Sequence, residues 1–358
     1  MKKLQRSLFF HRLYSKKAHF PFLGQIELTY RCNLDCIHCY CKGLESTRRE
    51  LTTAEWKRIL DIIQREGCLC LCLTGGDPLI RKDFLEIYSY AKRKGFIITI
   101  FTNGQALTAQ MINYFLKSSP YSIEITLNGI TQKTYEAITQ VPGSFAKVMD
   151  TISQLKEKKL PLILKANCLK QNKSEIGRIK AFTEKLFDDR LLRNRYRFRY
   201  DPMIYPRYNR DKTPCNYRLS PAELLEVKKQ DPDIWKEYQE SLDCTLPKLR
   251  RDRQFLYQCN SWMEHFNINP YGYLKFCGFS DKFSVNLKDA TFREGFYNIF
   301  PKLLNEKFKT NSKCKDCRLR PTCYYCPARA YLETGDEEAP VPYYCELAKA
   351  TAEQINGS

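Results

Sequence analysis

The sequence has no apolar run long enough to cross a membrane. Its longest apolar runs, residues 68–73 and 96–101, fall far short of the roughly 18 residues that a membrane helix requires. The N-terminal residues are basic, and the apolar stretch at residues 8–10 is cut short by His11 and Arg12, so the hydrophobic region of a secretory signal is missing. These absences predict a cytoplasmic protein with no membrane partner.

The sequence also lacks low-complexity tracts and long-period repeats. Its 358 residues fit one large domain or two, and 43% hydrophobic residues are enough for a globular core. The formal net charge is +19, which together with interleaved aromatic residues is typical of nucleic-acid-binding proteins. However, the basic residues are dispersed and no known nucleic-acid-binding motif is present, so a nucleic-acid partner is not expected.

Cysteine is abundant, with 17 residues. An odd number of cysteines in a chain without an export signal argues against a disulfide framework. Cysteine-rich cytoplasmic proteins more often bind metal or carry out redox chemistry, and the spacing of the cysteines decides between these uses.

Short apolar segments alternate with amphipathic helical segments through the first two thirds of the chain. The predicted strands are residues 25–30, 68–74, 96–101, 123–127, 162–168 and 196–200, with helices between them. Six such β–α units predict a parallel α/β sheet, two units short of a closed eight-fold barrel. This pattern fits both a partial (β/α)6 TIM-like barrel and a doubly wound sheet, and in either fold ligands bind at the carboxyl ends of the strands.

The pattern changes along the chain and predicts four segments. Residues 1–23 are a basic N-terminal arm, and residues 24–205 hold the alternating core. Residues 206–258 are a charged bridge interrupted by prolines, with a helix at residues 221–229. Residues 259–358 are rich in cysteine, which predicts a small domain held together by metal.

The first cysteine motif follows the first predicted strand directly. Cys32, Cys36 and Cys39 form a C-x3-C-x2-C loop. Three closely spaced thiolates can hold three irons of a 4Fe–4S cluster and leave the fourth iron open to a small molecule. Zinc is the alternative, although structural zinc sites favour four ligands in paired C-x2-C units. We expect His38, between two of the cysteines, to pack or to contact a ligand.

This triplet after the first strand resembles the defining motif of the radical S-adenosylmethionine (SAM) enzymes, and the resemblance covers residues 24–205. It implies a partial (β/α)6 barrel, a 4Fe–4S cluster, and reductive cleavage of SAM to methionine and a 5′-deoxyadenosyl radical. It also implies a low-potential electron donor of the flavodoxin or ferredoxin type. The loop Gly75-Gly76-Asp77-Pro78 is similar to the family's GGEP loop, which implies contact with the amino group of the methionine moiety.

The resemblance further implies cofactor contacts after the later strands. Asn103 follows the third strand, and Thr126 and Asn128 follow the fourth, where the family usually has Ser-Leu-Asp-Gly. An arginine that often pairs with the cofactor carboxylate is replaced in this sequence, and Lys165 on the fifth strand is the expected substitute. His38 completes the expected cofactor-binding set.

The C-terminal cysteines resemble the SPASM extension of radical enzymes that modify peptides and proteins. That resemblance implies two auxiliary 4Fe–4S clusters. The first would be held by Cys259, Cys277 and Cys326, and the second by Cys314, Cys317, Cys323 and Cys345. Only two residues separate Cys323 from Cys326, where the family usually has three, and from spacing alone a zinc ribbon fits as well. The fourth ligand of the first auxiliary cluster stays open between Cys244, Cys215 and a substrate thiolate.

The resemblance implies an enzyme that modifies a ribosomally made peptide or small protein by a cross-link or another Cα/Cβ modification. Sulfatase maturation is less expected, because Gly278 stands where that group has an aspartate. With no winged-helix domain before the barrel, leader recognition would need a separate protein or the basic arm. The alternatives are a radical SAM enzyme acting on a small molecule or cofactor precursor, and a zinc-stabilised module that binds nucleic acid or protein.

Overall fold

The computed structural model describes residues 19–44, 48–187, 197–232, 235–236, 238–239, 253–259 and 263–356. Most of the predicted N-terminal arm and Cys244 therefore lie outside the described residues. The chain divides into two compact units. The first unit comprises residues 1–31, 46–101 and 259–303, and the second comprises residues 32–45, 102–258 and 304–358.

Strands and helices alternate through the described part of the chain. The strands are β1 (Leu23–Thr29), β2 (Cys70–Gly75), β3 (Ile97–Thr102), β4 (Ser122–Thr126), β5 (Leu162–Asn167), β6 (Phe198–Asp201), β7 (His265–Ile268), β8 (Tyr273–Lys275) and β9 (Val285–Asn286). The α-helices are α1 (Thr53–Arg65), α2 (Phe84–Arg93), α3 (Ala109–Lys117), α4 (Gln132–Thr139), α5 (Ser144–Glu157), α6 (Ile176–Leu186), α7 (Pro221–Lys229), α8 (Pro327–Thr334) and α9 (Pro342–Asn356). The six predicted strands agree with β1–β6 to within about two residues at each end.

In the first unit, β1 lies between β2 and β7 and pairs with both in parallel. β3 pairs with β2 in parallel, while β8 and β9 continue from β7 in antiparallel order. The sequence did not predict β7, because it is only four residues long and lies among cysteine-rich segments without a clear period. Residues 259–303 thus add a strand beside β1 and group with β1, α1, β2, α2 and most of β3.

In the second unit, β5 pairs in parallel with β4 on one side and β6 on the other. Successive residues of β5 alternate in solvent exposure. Leu162, Leu164 and Ala166 are buried, whereas Lys165 and Asn167 are only half-buried. Because successive strand side chains point to opposite faces, these three strands have one apolar face and one polar face.

Local sequence signals explain where the helices begin. Thr52 and Glu55 form the predicted capping box of α1, and Ser220 and Glu223 form another at α7. Each box satisfies backbone N–H groups that a helix start leaves without partners, and the loss of such a cap costs about 1 kcal/mol. Among the described residues, no helix has both the length and the apolar character needed to span a membrane.

Candidate active site

The loop that carries the first three cysteines is anchored on the end of α4. The Asp35 N–H donates to the carbonyl of Thr139 at 3.0 Å, and the Ile37 N–H donates to the carbonyl of Ile138 at 3.0 Å. These carbonyls belong to the last turn of the helix, where no intrahelical donor remains for them. The backbone at residues 32–39 is therefore fixed by main-chain bonds.

The three thiols of this loop are close enough to affect one another. Burial, and then the neighbouring Cys39 and Cys32 thiols, raise the pKa of Cys36. By contrast, a hydrogen bond involving the Cys41 side chain lowers the pKa of Cys39 to about 7. Cys41 is itself buried. Cys39 thus has an environment that favours the thiolate, which is the form that binds metal.

The sulfur of Cys32 accepts two hydrogen bonds. The backbone N–H of Leu34 and the side-chain amide of Asn103 each donate to Cys32 Sγ at 3.4 Å. Asn103 also donates to Asn33 Oδ1 at 2.9 Å, so the residue after β3 is held against the cysteine loop. Hydrogen bonds to cysteine sulfurs are among the features that tune iron–sulfur clusters.

No three His, Cys, Asp or Glu side chains within the described ranges are grouped so that they could hold one metal ion. A single ion needs its ligands to converge on one point, whereas a cubane cluster takes each thiolate on a different iron atom. The three loop thiols share a neighbourhood, sit on a fixed backbone and carry hydrogen bonds to sulfur. Their donor set therefore fits a 4Fe–4S cluster with three cysteine ligands.

His38 lies within the same loop and is half-buried. Its Nε2 lies 3.5 Å from the side-chain amide nitrogen of Asn128, and its Nδ1 is buried without a hydrogen-bond partner. Burial lowers the pKa of His38 to about 4, so the ring is neutral at physiological pH. The structure thus brings two of the residues expected to contact the cofactor together.

Asn128 also has a structural role that the sequence did not reveal. It is 2% exposed, and its Oδ1 accepts from the backbone N–H of Asn167 at 2.8 Å. The buried Asn172 amide donates to the carbonyls of Asn128 and Asn167, both at 2.8 Å. The ends of β4 and β5 are therefore joined through asparagines. Thr126 and Lys165 are register partners one step earlier on these strands.

The glycine loop lies in the first unit and passes close to the end of β1. A Cβ atom on Gly75 would lie 2.1 Å from the Thr29 carbonyl oxygen, and one on Gly76 would lie 2.3 Å from the Arg31 carbonyl oxygen. Only glycine allows such an approach. Asp77, followed by Pro78, is fully buried, and its Oδ1 accepts from the Leu79 N–H at 2.9 Å. The carboxylate expected to meet the methionine amino group thus also caps a turn.

Four of the C-terminal cysteines form a second group of interacting thiols. Burial raises the pKa of Cys323 to about 12, and the thiols of Cys345, Cys314 and Cys317 act in the same direction. Burial and then the Cys345 and Cys317 thiols raise the pKa of Cys314. These four residues are the ones that the resemblance assigns to the second auxiliary cluster, and they share one neighbourhood in the second unit.

The residues expected to hold the first auxiliary cluster are divided between the two units. Cys326 lies in the second unit. There burial raises the pKa of Tyr205 and Tyr325, and the Cys326 thiol acts in the same direction. Cys259 and Cys277 lie in the first unit; Cys259 is exposed, and Cys277 Sγ accepts from the Phe279 N–H at 3.5 Å.

Cys215, a candidate for the fourth ligand, lies in the second unit. Burial raises its pKa to about 11, and the other contributions come from Arg218, Glu333, Lys212 and Asp211. The groups that shift its pKa thus include no cysteine.

Comparison with known protein families shows which family the region around the cysteine loop at residues 32–39 belongs to. The profile of the Radical SAM superfamily matches residues 26–182, which include the cysteine loop, the glycine loop, most of β1 and all of β2–β5. Residues 26–182 are a radical SAM domain. The cofactors of this superfamily are a 4Fe–4S cluster and SAM, and the three-thiol loop has the donor set that such a cluster requires.

Two curated relatives extend the comparison. The AdoMet-dependent heme synthase of Methanosarcina barkeri is 26% identical over 347 residues, which cover 90% of this chain and 96% of the relative. The PqqA peptide cyclase of Granulibacter bethesdensis is 31% identical over 161 residues, which cover 44% of this chain. That match spans less than half of the peptide cyclase, at 43% of its length.

Among solved structures, SuiB of Streptococcus suis bound to SAM aligns with a TM-score of 0.68 and 17% identity. The alignment covers 95% of this chain and 79% of SuiB. SuiB bound to its precursor peptide SuiA gives a TM-score of 0.69. This likeness confirms the predicted fold class, a partial (β/α)6 barrel followed by a cysteine-rich C-terminal region, in place of a doubly wound sheet.

Proposed function

We propose that this protein is a radical SAM enzyme that modifies a ribosomally made peptide or a small protein. The observation that carries the proposal is the fixed loop in which the Cys32, Cys36 and Cys39 thiols lie together, with Asn103 bonded to one sulfur. In this proposal the three cysteines are the ligands of a 4Fe–4S cluster whose fourth iron is open to SAM. When bound, the cluster supplies the electron that cleaves the SAM sulfonium.

The residues around the loop would hold and orient SAM. Asn103 fixes the cysteine loop against the end of β3, and neutral His38 and Asn128 line the same region. Thr126 and Lys165 are register partners with half-buried side chains, and Lys165 would pair with the SAM carboxylate. In the first unit, Gly75 and Gly76 permit close approach of backbone carbonyls to an ammonium group, and Asp77 adds a negative charge.

The C-terminal cysteines would hold two auxiliary 4Fe–4S clusters. Support is strongest for the second auxiliary cluster, because its four cysteines lie in one unit and their thiols shift one another's pKa. The first would take Cys259, Cys277 and Cys326, with a fourth ligand from the chain or from substrate. A cross-link formed by loss of two hydrogens releases two electrons and two protons. Abstraction of one hydrogen atom would remove one of each, a base or water would take the remaining proton, and an auxiliary cluster would supply an acceptor for the remaining electron.

A peptide substrate is supported by the relatives, several of which are named for acting on peptides. PqqA peptide cyclases match the radical domain, and SuiB, whose structure includes its precursor peptide, shares the fold along most of this chain. A small-molecule substrate is the second candidate, because the heme synthase aligns with 90% of this chain. In either case the enzyme would need a low-potential electron donor of the flavodoxin or ferredoxin type. A separate leader-binding protein could serve the peptide reaction.

The experiment that tests the function is anaerobic reconstitution with iron and sulfide, followed by addition of SAM and a strong reductant. We expect absorbance near about 400 nm and release of 5′-deoxyadenosine. A panel of candidate precursor peptides and an iron porphyrin are then offered, and the products are analysed by mass spectrometry. A colourless, zinc-containing protein that releases no 5′-deoxyadenosine would overturn the proposal. Modification of the porphyrin alone would replace peptides by a small molecule as the substrate class.

A further inference from the structure

The glycine loop of the first unit is hydrogen-bonded to the end of β1. The Gly76 N–H donates to the carbonyl of Thr29 at 2.8 Å, and the Asp77 N–H donates to the carbonyl of Arg31 at 3.0 Å. The peptide bonds of the loop are trans, and in a trans peptide the carbonyl of one residue points opposite to the N–H of the next. The Gly75 and Gly76 carbonyls therefore point away from β1, and their direction depends on the position of the end of this strand.

One carboxylate, that of Glu50, holds the end of β1 in place. Its Oε1 accepts from the Thr29 hydroxyl at 2.7 Å and from the Tyr30 N–H at 3.2 Å. The Thr29 hydroxyl in turn accepts from the Arg31 N–H at 3.1 Å. Glu50 is thus linked, directly or through one hydroxyl, to three successive residues. Two of these three, Thr29 and Arg31, supply the carbonyls to which the glycine loop is bonded.

The second oxygen of Glu50 faces two guanidinium groups. Its Oε2 lies 3.5 Å from Arg31 Nη2 and 3.6 Å from Arg81 Nη1. Arg31 precedes the first cysteine of the cysteine loop in the chain, and Arg81 follows the glycine loop by three residues. The charge of Glu50 therefore attracts both the residue that leaves β1 and the segment that follows the glycine loop.

Arg81 fixes the far end of the glycine loop against the same strand. Its Nη1 donates to the Leu28 carbonyl at 3.0 Å, and its Nη2 donates to the Leu51 carbonyl at 3.1 Å. The Asp83 carboxylate accepts from Nε at 2.9 Å and from Nη2 at 2.7 Å. This two-pronged contact fixes the plane of the guanidinium. The glycine loop is thus bonded to β1 on both sides, with Glu50 between the two attachments.

The network is largely shielded from water, which strengthens its charged contacts. The side chains of Thr29 and Arg81 are buried, and that of Glu50 is 18% exposed. A binding site loses affinity when its groups move by more than about 0.5 Å from their productive positions. Loss of Glu50 would remove the acceptor of the Thr29 hydroxyl and the Tyr30 N–H, and the carbonyls of the glycine loop would lose the support that sets their direction.

We propose that Glu50 is a positioning residue for SAM, because it fixes the end of β1 and thereby directs the Gly75 and Gly76 carbonyls toward the ammonium group of the methionine moiety. This inference rests on the proposed function, in which the glycine loop meets that ammonium group. Glu50 acts through the loop and makes no contact with SAM. Its effect is selective, since it reaches only the part of SAM that the glycine loop binds.

The test compares binding of SAM with binding of its deamino analogue, a sulfonium that keeps the adenosine and the carboxylate but lacks the amino group. Both are titrated by equilibrium dialysis against the reconstituted enzyme without reductant, so that neither is cleaved. Glu50→Ala removes all the contacts of the carboxylate. Glu50→Gln keeps an acceptor for the Thr29 hydroxyl and the Tyr30 N–H but removes the charge.

A third variant tests the same link without changing Glu50. Thr29→Val is nearly isosteric and removes the hydroxyl that joins Glu50 to the Arg31 N–H. It carries the comparison if Glu50→Ala does not fold. The matched control is Glu66→Gln, which alters a carboxylate paired with Arg293 at 2.8 Å elsewhere in the first unit.

We expect the wild-type enzyme to bind SAM more tightly than the deamino analogue. Glu50→Ala should raise the dissociation constant for SAM by about ten- to a hundred-fold, as the loss of a residue that orients a ligand-binding group often does, and leave that for the analogue nearly unchanged. Glu50→Gln and Thr29→Val should fall between Glu50→Ala and the wild type, and Glu66→Gln should match the wild type.

The inference is wrong if the wild type shows no preference for SAM over the analogue. It is also wrong if the variants keep that preference, whether both ligands bind normally or both lose affinity equally, because Glu50 then has a structural role alone. Release of 5′-deoxyadenosine by the wild-type preparation, after reductant is added, shows separately whether the proposed function stands.

Discussion

The cysteine loop at residues 32–39 and the C-terminal cysteine group at residues 314–345 differ in how their surroundings shift the pKa of the thiols. Cys32 is exposed, and the pKa of Cys39 falls to about 7 because of its hydrogen bond to Cys41. In the C-terminal group Cys314 is buried, and burial raises the pKa of Cys323 to about 12. In the loop the pKa of Cys36 is raised and that of Cys39 is lowered, whereas in the C-terminal group burial raises the pKa of Cys314, Cys323 and Cys345 alike.

The difference follows from what each group has to do. Metal binding releases the thiol protons, and burial makes that release more costly in the absence of metal. A closed group is suited to a cluster that is fully ligated by the chain. An open loop with a lowered thiol pKa suits a cluster that must admit a small molecule at one iron. Four experiments probe the SAM-binding region around the loop and the C-terminal region, and the first has the largest expected effect.

The first test removes the three cysteines of the loop at residues 32–39. We expect the triple variant Cys32→Ala, Cys36→Ala, Cys39→Ala to abolish release of 5′-deoxyadenosine and to lose about four of twelve iron atoms. The remaining iron, about eight atoms, should persist because the C-terminal cysteines are separate from the loop in sequence. Iron analysis and product chromatography after reconstitution provide the measurement. Cys168→Ala, which removes a buried cysteine outside both groups, is the control. Loss of all the iron would mean that the two groups fold as one metal core.

The second test asks whether the chain closes the first auxiliary cluster. Cys215→Ser alone should leave iron content and turnover nearly unchanged, because no cysteine is among the groups that shift the pKa of Cys215. The double variant Cys215→Ser, Cys244→Ser then tests both spare thiols, and if it also keeps its iron and turnover, a substrate thiolate is the better candidate for the fourth ligand. Iron content and the visible spectrum provide the measurement, with Cys70→Ser as the control. If about four irons and turnover disappear together while SAM still binds, a protein thiolate completes the cluster.

The sequence predicted the parts of this protein that depend on local patterns. The capping box at Thr52 and Glu55 set the start of α1, and alternation of strands and helices set β1–β6. The cysteine loop was found from spacing, and its anchoring on α4 follows from the exposed carbonyls of that helix end. Such signals lie within a few residues of one another, so they can be read without knowledge of the fold.

The parts that were missed depend on residues distant in the chain. Strand β7 pairs with β1 across more than two hundred residues. Arg329 stacks on Tyr205 from a helix that the sequence did not predict. The bonding of Asn172 to Asn128 gave no signal, because a lone asparagine is common in turns. Asp77 was expected to contact SAM, and the cap that it provides for Leu79 became visible only in the structure.

The third test separates the two roles of Asp77. Asp77→Asn keeps an acceptor for the Leu79 N–H but removes the charge, whereas Asp77→Ala removes both. If the carboxylate meets the SAM ammonium group, both variants should raise the dissociation constant for SAM by about ten- to a hundred-fold. Only Asp77→Ala should also lose about 0.5–2 kcal/mol of stability, the cost of a lost cap.

Equilibrium titration with SAM and thermal unfolding distinguish these effects. Asp61→Asn, which alters a carboxylate hydrogen-bonded to Tyr90 in the same unit, is the matched control. An unchanged dissociation constant for Asp77→Asn would restrict Asp77 to its structural role and leave the glycines as the only contribution of that loop.

The fourth test concerns a lysine that packs against a tyrosine of the C-terminal region. Lys228 is 3% exposed, and its Nζ donates to the Tyr324 hydroxyl at 3.0 Å. The same Nζ lies 3.4 Å from the centre of the Tyr238 ring. Burial lowers the pKa of Lys228 from 10.5 to about 7. The folded chain therefore binds fewer protons than the unfolded chain between these two values, so this residue makes the protein more stable as pH rises through that range.

We expect Lys228→Met to remove this dependence. Between pH 7 and pH 9, the free energy of unfolding of the wild type should rise relative to the variant by about 1.4 kcal/mol per pH unit, the most that one proton can contribute. Thermal unfolding of both proteins across that range is the measurement. Lys229→Met, which changes the exposed neighbour, should follow the wild type. Parallel curves for wild type and Lys228→Met would show that water reaches the ammonium group, and that the C-terminal region is less closed than its thiols indicate.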